Sequence, residues 1–147
     1  MDLILWRHCD AAPGVPDELR PLTPLGVEQA ARMARWLELR LPAHCRIVVS
    51  PALRARQTAQ ALHRDFETDA RLASDEPDAV LAAAGWPDAS GTVVAVGHQP
   101  TLGQVASLLL EGEALDRTLR TGEVLWLSST DARGFATLAH SIAPDSV

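Results

Sequence analysis

A chain of 147 residues, 47% hydrophobic and 22% charged, is long enough to bury a sizeable core and short enough to be one domain spanning 1–147. Its net charge of −6 argues against general nucleic-acid binding, which needs a basic surface. The apolar runs are too short to span a bilayer and no basic-then-apolar leader precedes the first strand, so no membrane partner and a cytoplasmic location are expected.

All 13 basic residues are arginine. Without lysine there is no Walker lysine and no Schiff base, and arginine is left as the strong cation for holding an anion. Cys9 and Cys45 are too few for a disulfide framework and form no CxxC pair, so both are expected as reduced thiols.

In chain order, Leu3–Trp6 reads as a short buried strand, and "APGVPDELRP" after it as a loop. "LTPLGVEQAARMARWLELRL" reads as a helix with Thr23 as N-cap and Pro24 at its first position. Its apolar face is expected to comprise Val27, Ala30, Ala31, Ala34 and Leu37 or Trp36. "RIVVS" is a second buried strand, and Ser50-Pro51 repeats the cap-then-proline signal for a helix through about Leu62. A short strand is expected around Phe66–Leu72, then a helix in "EPDAVLAAAG" closed by Gly85. "TVVAVG" is a third clear strand and "PTLGQVASLLL" the helix after it. "GEVLWLSST" and "GFATLAH" are expected to pair as an edge hairpin. Alternating strands and helices predict a three-layer α/β/α sandwich with a mostly parallel central sheet.

Open parallel sheets bind ligands beyond the carboxyl ends of their strands. The first strand delivers Arg7 and His8 there, the second Ser50 and Arg54, and "VVAVG" delivers His98. Two arginines and two histidines at one rim, beside helix N-termini, predict an anion pocket, with phosphate the natural occupant. A neutral imidazole flanked by cations has a lowered pKa and a nitrogen free to attack phosphorus; a second histidine can donate to the phosphoryl oxygens. "RHCD" as a metal cluster is disfavoured, because neighbours on a strand point to opposite faces and no second ligand pair has suitable spacing. A cysteine phosphatase is disfavoured because neither thiol is followed by arginine at the required distance. Trp6 and Trp86 are candidates to border the pocket, and Arg56 reads as a salt-bridge partner.

"LILWRHCDA", "LTPLG", "SPALRARQTA" and "VAVGHQPTLG" resemble, in order, the motifs of the histidine phosphatase superfamily, whose fold is phosphoglycerate mutase-like. The short chain and "RPLTPLG" resemble its SixA-type phosphohistidine phosphatase branch. The resemblance implies His8 as nucleophile, a phosphate pocket of Arg7, Arg54 and His98, and an approach to the phosphate by Arg20. It implies a phosphatase without cofactor or metal ion, acting on a phosphohistidine-bearing signalling or phosphotransfer protein. A small phosphorylated metabolite is the alternative substrate, and a binding module without turnover the alternative class.

Two departures stand out. Cys9 follows the nucleophile where the family commonly has glycine or alanine, which raises the expectation of an oxidation-sensitive thiol beside the site. No obvious acid is present either; Asp75 and Glu76 lie in the right part of the chain, and Asp10 and Glu18 are further candidates. Imidazole leaves from phosphorus more readily than an alkoxide, so the missing acid favours a phosphoramidate substrate.

Overall fold

The computed structural model describes residues 1–129 and 134–147. Six strands form one sheet in the order β3-β2-β4-β1-β5-β6. They are β1 (Asp2–Arg7), β2 (Arg46–Val49), β3 (Glu67–Thr68), β4 (Thr92–Gly97), β5 (Val124–Ser128) and β6 (Thr137–Ile142). The first four run parallel, and β5 and β6 pair antiparallel at one edge. The polar turn expected to join that hairpin includes 130–133, outside the described residues.

Helices α1 (Pro24–Glu38), α2 (Leu53–Gln60), α3 (Pro77–Ala84) and α4 (Thr101–Glu111) complete the three layers. Alternation along the strands divides the core in two. Leu3, Leu5, Val93 and Ala95 face α3 and α4 through Val80, Leu102 and Val105. Ile4, Trp6, Val94 and Val96 face α1 and α2 through Met33, Leu37 and Ala55. Among the described residues, no helix is long and apolar enough to cross a membrane.

Local chemistry explains where the elements differ from expectation. Thr23 does cap α1, its hydroxyl accepting from the Gly26 N–H at 3.0 Å. The buried face is Ala30, Met33, Ala34 and Leu37, whereas Val27 is 59% exposed and Ala31 is also on the surface. Gly26 sets this rotation: a side chain there would run into the Asp10 carbonyl oxygen, so α1 is pressed against the chain leaving β1.

Helix α2 starts at Leu53 rather than Pro51, because the Ser50 hydroxyl bonds the Ala52 N–H in a turn before the helix. The strand expected at Phe66–Leu72 shrinks to Glu67–Thr68. Asp69 ends it by accepting from the Arg71 N–H and opening a 3-10 turn, Ala70–Ala73. Gly103 in α4 repeats the Gly26 device, with the Arg117 carbonyl where its side chain would be.

Candidate active site

At the carboxyl end of β1 the chain stays clamped for one more residue: the His8 N–H bonds the Gly97 carbonyl, and the Gly122 N–H bonds the His8 carbonyl. Arg7 and His8 therefore project from the best-supported strand of the sheet. Arg54 rises from the first turn of α2 and His98 from the end of β4. Arg7, His8, Asp17, Arg20, Arg54 and His98 line one cavity of about 400 Å³. The two imidazole centroids are 5.1 Å apart.

His8 Nδ1 lies 2.8 Å from the Cys9 carbonyl oxygen. A carbonyl can only accept, so Nδ1 carries the proton and Nε2 keeps its lone pair. Burial holds the His8 pKa down to about 4; the Arg54, Arg7 and Arg20 charges add to the shift, and the bond to Cys9 opposes it. Burial thus outweighs the neighbouring cations that the sequence brings to mind. His98 is likewise held near 4, first by burial, then by His8 and Arg54, against an opposing pull from Asp17.

His98 Nε2 is 2.8 Å from the Ser50 hydroxyl. Ser50 is fully buried and its oxygen already accepts from Ala52. Its hydroxyl proton is satisfied by His98 Nε2, which leaves the His98 proton on Nδ1.

The arginines are anchored by their Nη atoms. Arg7 Nη1 donates to the Leu119 carbonyl at 2.7 Å. Arg54 Nη1 donates to the Asp17 carbonyl at 2.9 Å, and its Nη2 to Asp17 Oδ2 at 3.0 Å. Among the described residues, two buried side-chain polar atoms lack a partner: Nε of Arg7 and Nε of Arg54. Buried guanidinium N–H groups without an acceptor are costly, and both belong to arginines of this cavity. Arg20 also lines it, but its Nε bonds the Ala12 carbonyl and its Nη1 bonds Asp17 Oδ1. Among the described residues Arg56 has no salt-bridge partner; it donates to the Pro51 carbonyl.

The acid candidates separate. Asp75 and Glu76 are exposed and do not line the cavity. Asp10 ties β1 to α1: its carboxylate accepts from the Thr23 hydroxyl at 2.6 Å, and its N–H bonds Gln29. Glu18 does line the cavity. So does Asp17, a residue that sequence reasoning overlooked. Arg20 and Arg54 hold its carboxyl below the usual range, hence ionised. Two acids just ahead of Arg20 were the available signal, but a loop with prolines on both sides offers no periodicity to aim a side chain.

Trp6 is fully buried in the core and Trp86 packs against the other core cluster, so neither borders the cavity. The Cys9 thiol is fully buried and pushed up to about 12 by that burial. It is a small core group, and the expected oxidation sensitivity does not follow. No group of three or more histidine, cysteine or acidic side chains is placed to hold a metal among the described residues.

The model of the histidine phosphatase superfamily (branch 1) matches residues 3–75. An uncharacterized protein of Mycobacterium tuberculosis is 34% identical over 110 residues, 70% of this chain and 68% of that protein. The phosphohistidine phosphatase SixA of Escherichia coli is 41% identical over 61 residues, 41% of this chain and 38% of that one. A structure named SixA from Nakamurella multipartitia superposes with a TM-score of 0.85 at 30% identity, covering 97% of this chain and 95% of that one. The protein histidine phosphatase SixA complexed with tungstate gives 0.81 at 26% identity, covering 99% and 98%. The chain belongs to the histidine phosphatase superfamily, a class of hydrolytic phosphatases. Within that superfamily it is of the SixA type.

Proposed function

We propose that this phosphatase removes the phosphoryl group from phosphohistidine on a protein, through a phospho-His8 intermediate and without a metal ion. The carrying observation is a neutral buried imidazole, its Nε2 lone pair free, between two arginines that each keep a buried Nε–H unpaired.

In the first step Nε2 of His8 attacks phosphorus in line, a bond forms to Nε2, and the P–N bond to the substrate imidazole breaks. The substrate imidazole, already protonated on its distal ring nitrogen, takes the bonding electron pair and leaves as neutral imidazole. Arg7 and Arg54 bind the equatorial oxygens and supply the positive charge that a metal provides in other phosphoryl transfers. His98, with its proton on Nδ1, donates toward the charge that gathers in the transition state. Water then attacks phospho-His8, orthophosphate leaves, and neutral His8 is restored.

The acid inventory supports this substrate. Asp17 is ionised at rest, so it is no ready donor for an alkoxide leaving group. Imidazole departs with little acid help. The exposed rim of Asp17, Glu18 and Pro51 suits a phosphoryl group borne on a protein surface.

The test is phosphate release from a phosphohistidine peptide with chelator present. Wild type is expected to release it, and His8→Ala to be slower by about a thousandfold or more while still binding tungstate. Faster turnover of serine or sugar phosphates would replace this reading with a small-metabolite phosphatase. Loss of activity in chelator would remove the metal-free mechanism.

A further inference from the structure

Asp17 occupies an unusual position for a carboxylate in a phosphate pocket. Arg54 is only 8% exposed, and both of its Nη groups are taken by this one residue, through the backbone carbonyl and through Oδ2. The second carboxylate oxygen accepts from Arg20 Nη1 at 2.9 Å. One carboxylate thus engages two of the three arginines that line the cavity. A tetrahedral oxyanion gripped by the Arg54 fork needs the same N–H directions.

We infer that Asp17 is a built-in counter-anion: the incoming phosphoryl group displaces its carboxylate, and the carboxylate returns to help expel the phosphate product. This rests on the phosphate-pocket reading above and adds a residue that sets affinity and release.

Three features make the exchange feasible. The Asp17 side chain is 66% exposed, so swinging out breaks little packing, and ion pairs at such exposure are weak. A dianionic phosphoryl group outbids a monoanionic carboxylate for a guanidinium. The Asp17 carbonyl stays on Arg54 Nη1 when the side chain leaves, so the guanidinium keeps its orientation. After hydrolysis the tethered carboxylate competes with free phosphate at a high effective concentration.

The experiment measures binding of inorganic phosphate, and its inhibition of turnover, in wild type, Asp17→Asn and Glu28→Gln. Glu28, paired with Arg32 on the exposed face of α1, controls for net charge. Asp17→Asn is expected to bind phosphate about three- to tenfold more tightly. It should lower KM and the phosphate inhibition constant together without raising kcat, while Glu28→Gln changes none of them. Equal or weaker phosphate binding by Asp17→Asn would overturn the inference, since the carboxylate would then merely hold Arg54 in place. An equal gain in Glu28→Gln would overturn it too, by reducing the effect to overall charge. Absence of phosphate binding in every variant, wild type included, would defeat the phosphate-pocket reading itself.

Discussion

The two strand-to-helix junctions that carry the histidines are built alike and orient their imidazoles differently. Each places a histidine at a strand end, buried at His8 and half-buried at His98, and each follows with a helix whose glycine admits a carbonyl from another segment, Asp10 at Gly26 and Arg117 at Gly103. His8, however, is held by a backbone carbonyl, which has one hydrogen-bonding role. His98 is held by the Ser50 hydroxyl, which can donate or accept. The proposed nucleophile, His8, needs one tautomer throughout. A group that donates as charge develops and later returns to rest is better served by a partner able to reverse its role.

The shared scaffold can be broken at its glycines. Gly26→Ala and Gly103→Ala each drive a methyl into a backbone carbonyl, with no flexible side chain to yield. Each is expected to cost about 3 kcal/mol or more and to lower Tm steeply, as read by thermal melting. Gly134→Ala is the contrast for space alone, because a methyl there meets nothing among the described residues, although its positive φ still carries backbone strain.

The burial common to both histidines gives a pH signature. In the fold they stay neutral down to about pH 4, whereas unfolded imidazole titrates near 6.5. Between those values the unfolded chain binds more protons, so stability is full above 6.5 and is lost as pH falls toward 4. Tm should drop by several degrees from pH 7.5 to 4.5, and His8→Asn with His98→Asn should flatten that slope. Asp69, held at about 2 by Arg71, loses its contribution only at lower pH and does not blur this window.

The difference between the junctions is tested at Ser50. Ser50→Ala is expected to lower kcat by about tenfold and to alter phosphate affinity much less. Ring-nitrogen chemical shifts of labelled protein should show His98 losing its single tautomer while His8 keeps the proton on Nδ1. A change confined to KM, or an unchanged His98 spectrum, would remove the distinction drawn here.

Much of this arrangement was legible in the sequence because strand ends in a parallel sheet have few places to go. The carboxyl ends of the strands and the helix start after the second one put Arg7, His8, Arg54 and His98 at one rim, and the structure brings them around one cavity. The cap at Thr23 was readable because Thr-Pro is a local signal. Ser50-Pro51 carries a similar signal and misleads, since the hydroxyl serves a histidine 48 residues away as well as the turn. Asp17 is harder to read: Arg20, three residues on, is its one local hint, and the Arg54 that fixes its place lies 37 residues away in the chain. Cys9 reads as reactive by its neighbours in the chain and is silent by its neighbours in space.

Strand β1 is paired along its length on both sides, to β4 and to β5, with Leu3 to Trp6 wholly buried between the two cores. Its amide protons can reach solvent only when the sheet itself comes apart, so their exchange should track global unfolding. The 3-10 turn bearing Asp17 has no buried residue, and its exposed carboxylate can swing away without disturbing that strand. The strand that carries His8 and the carboxylate at its rim thus sit on clocks set far apart, and the anion exchange proposed at that rim can occur many times within one lifetime of the strand beneath.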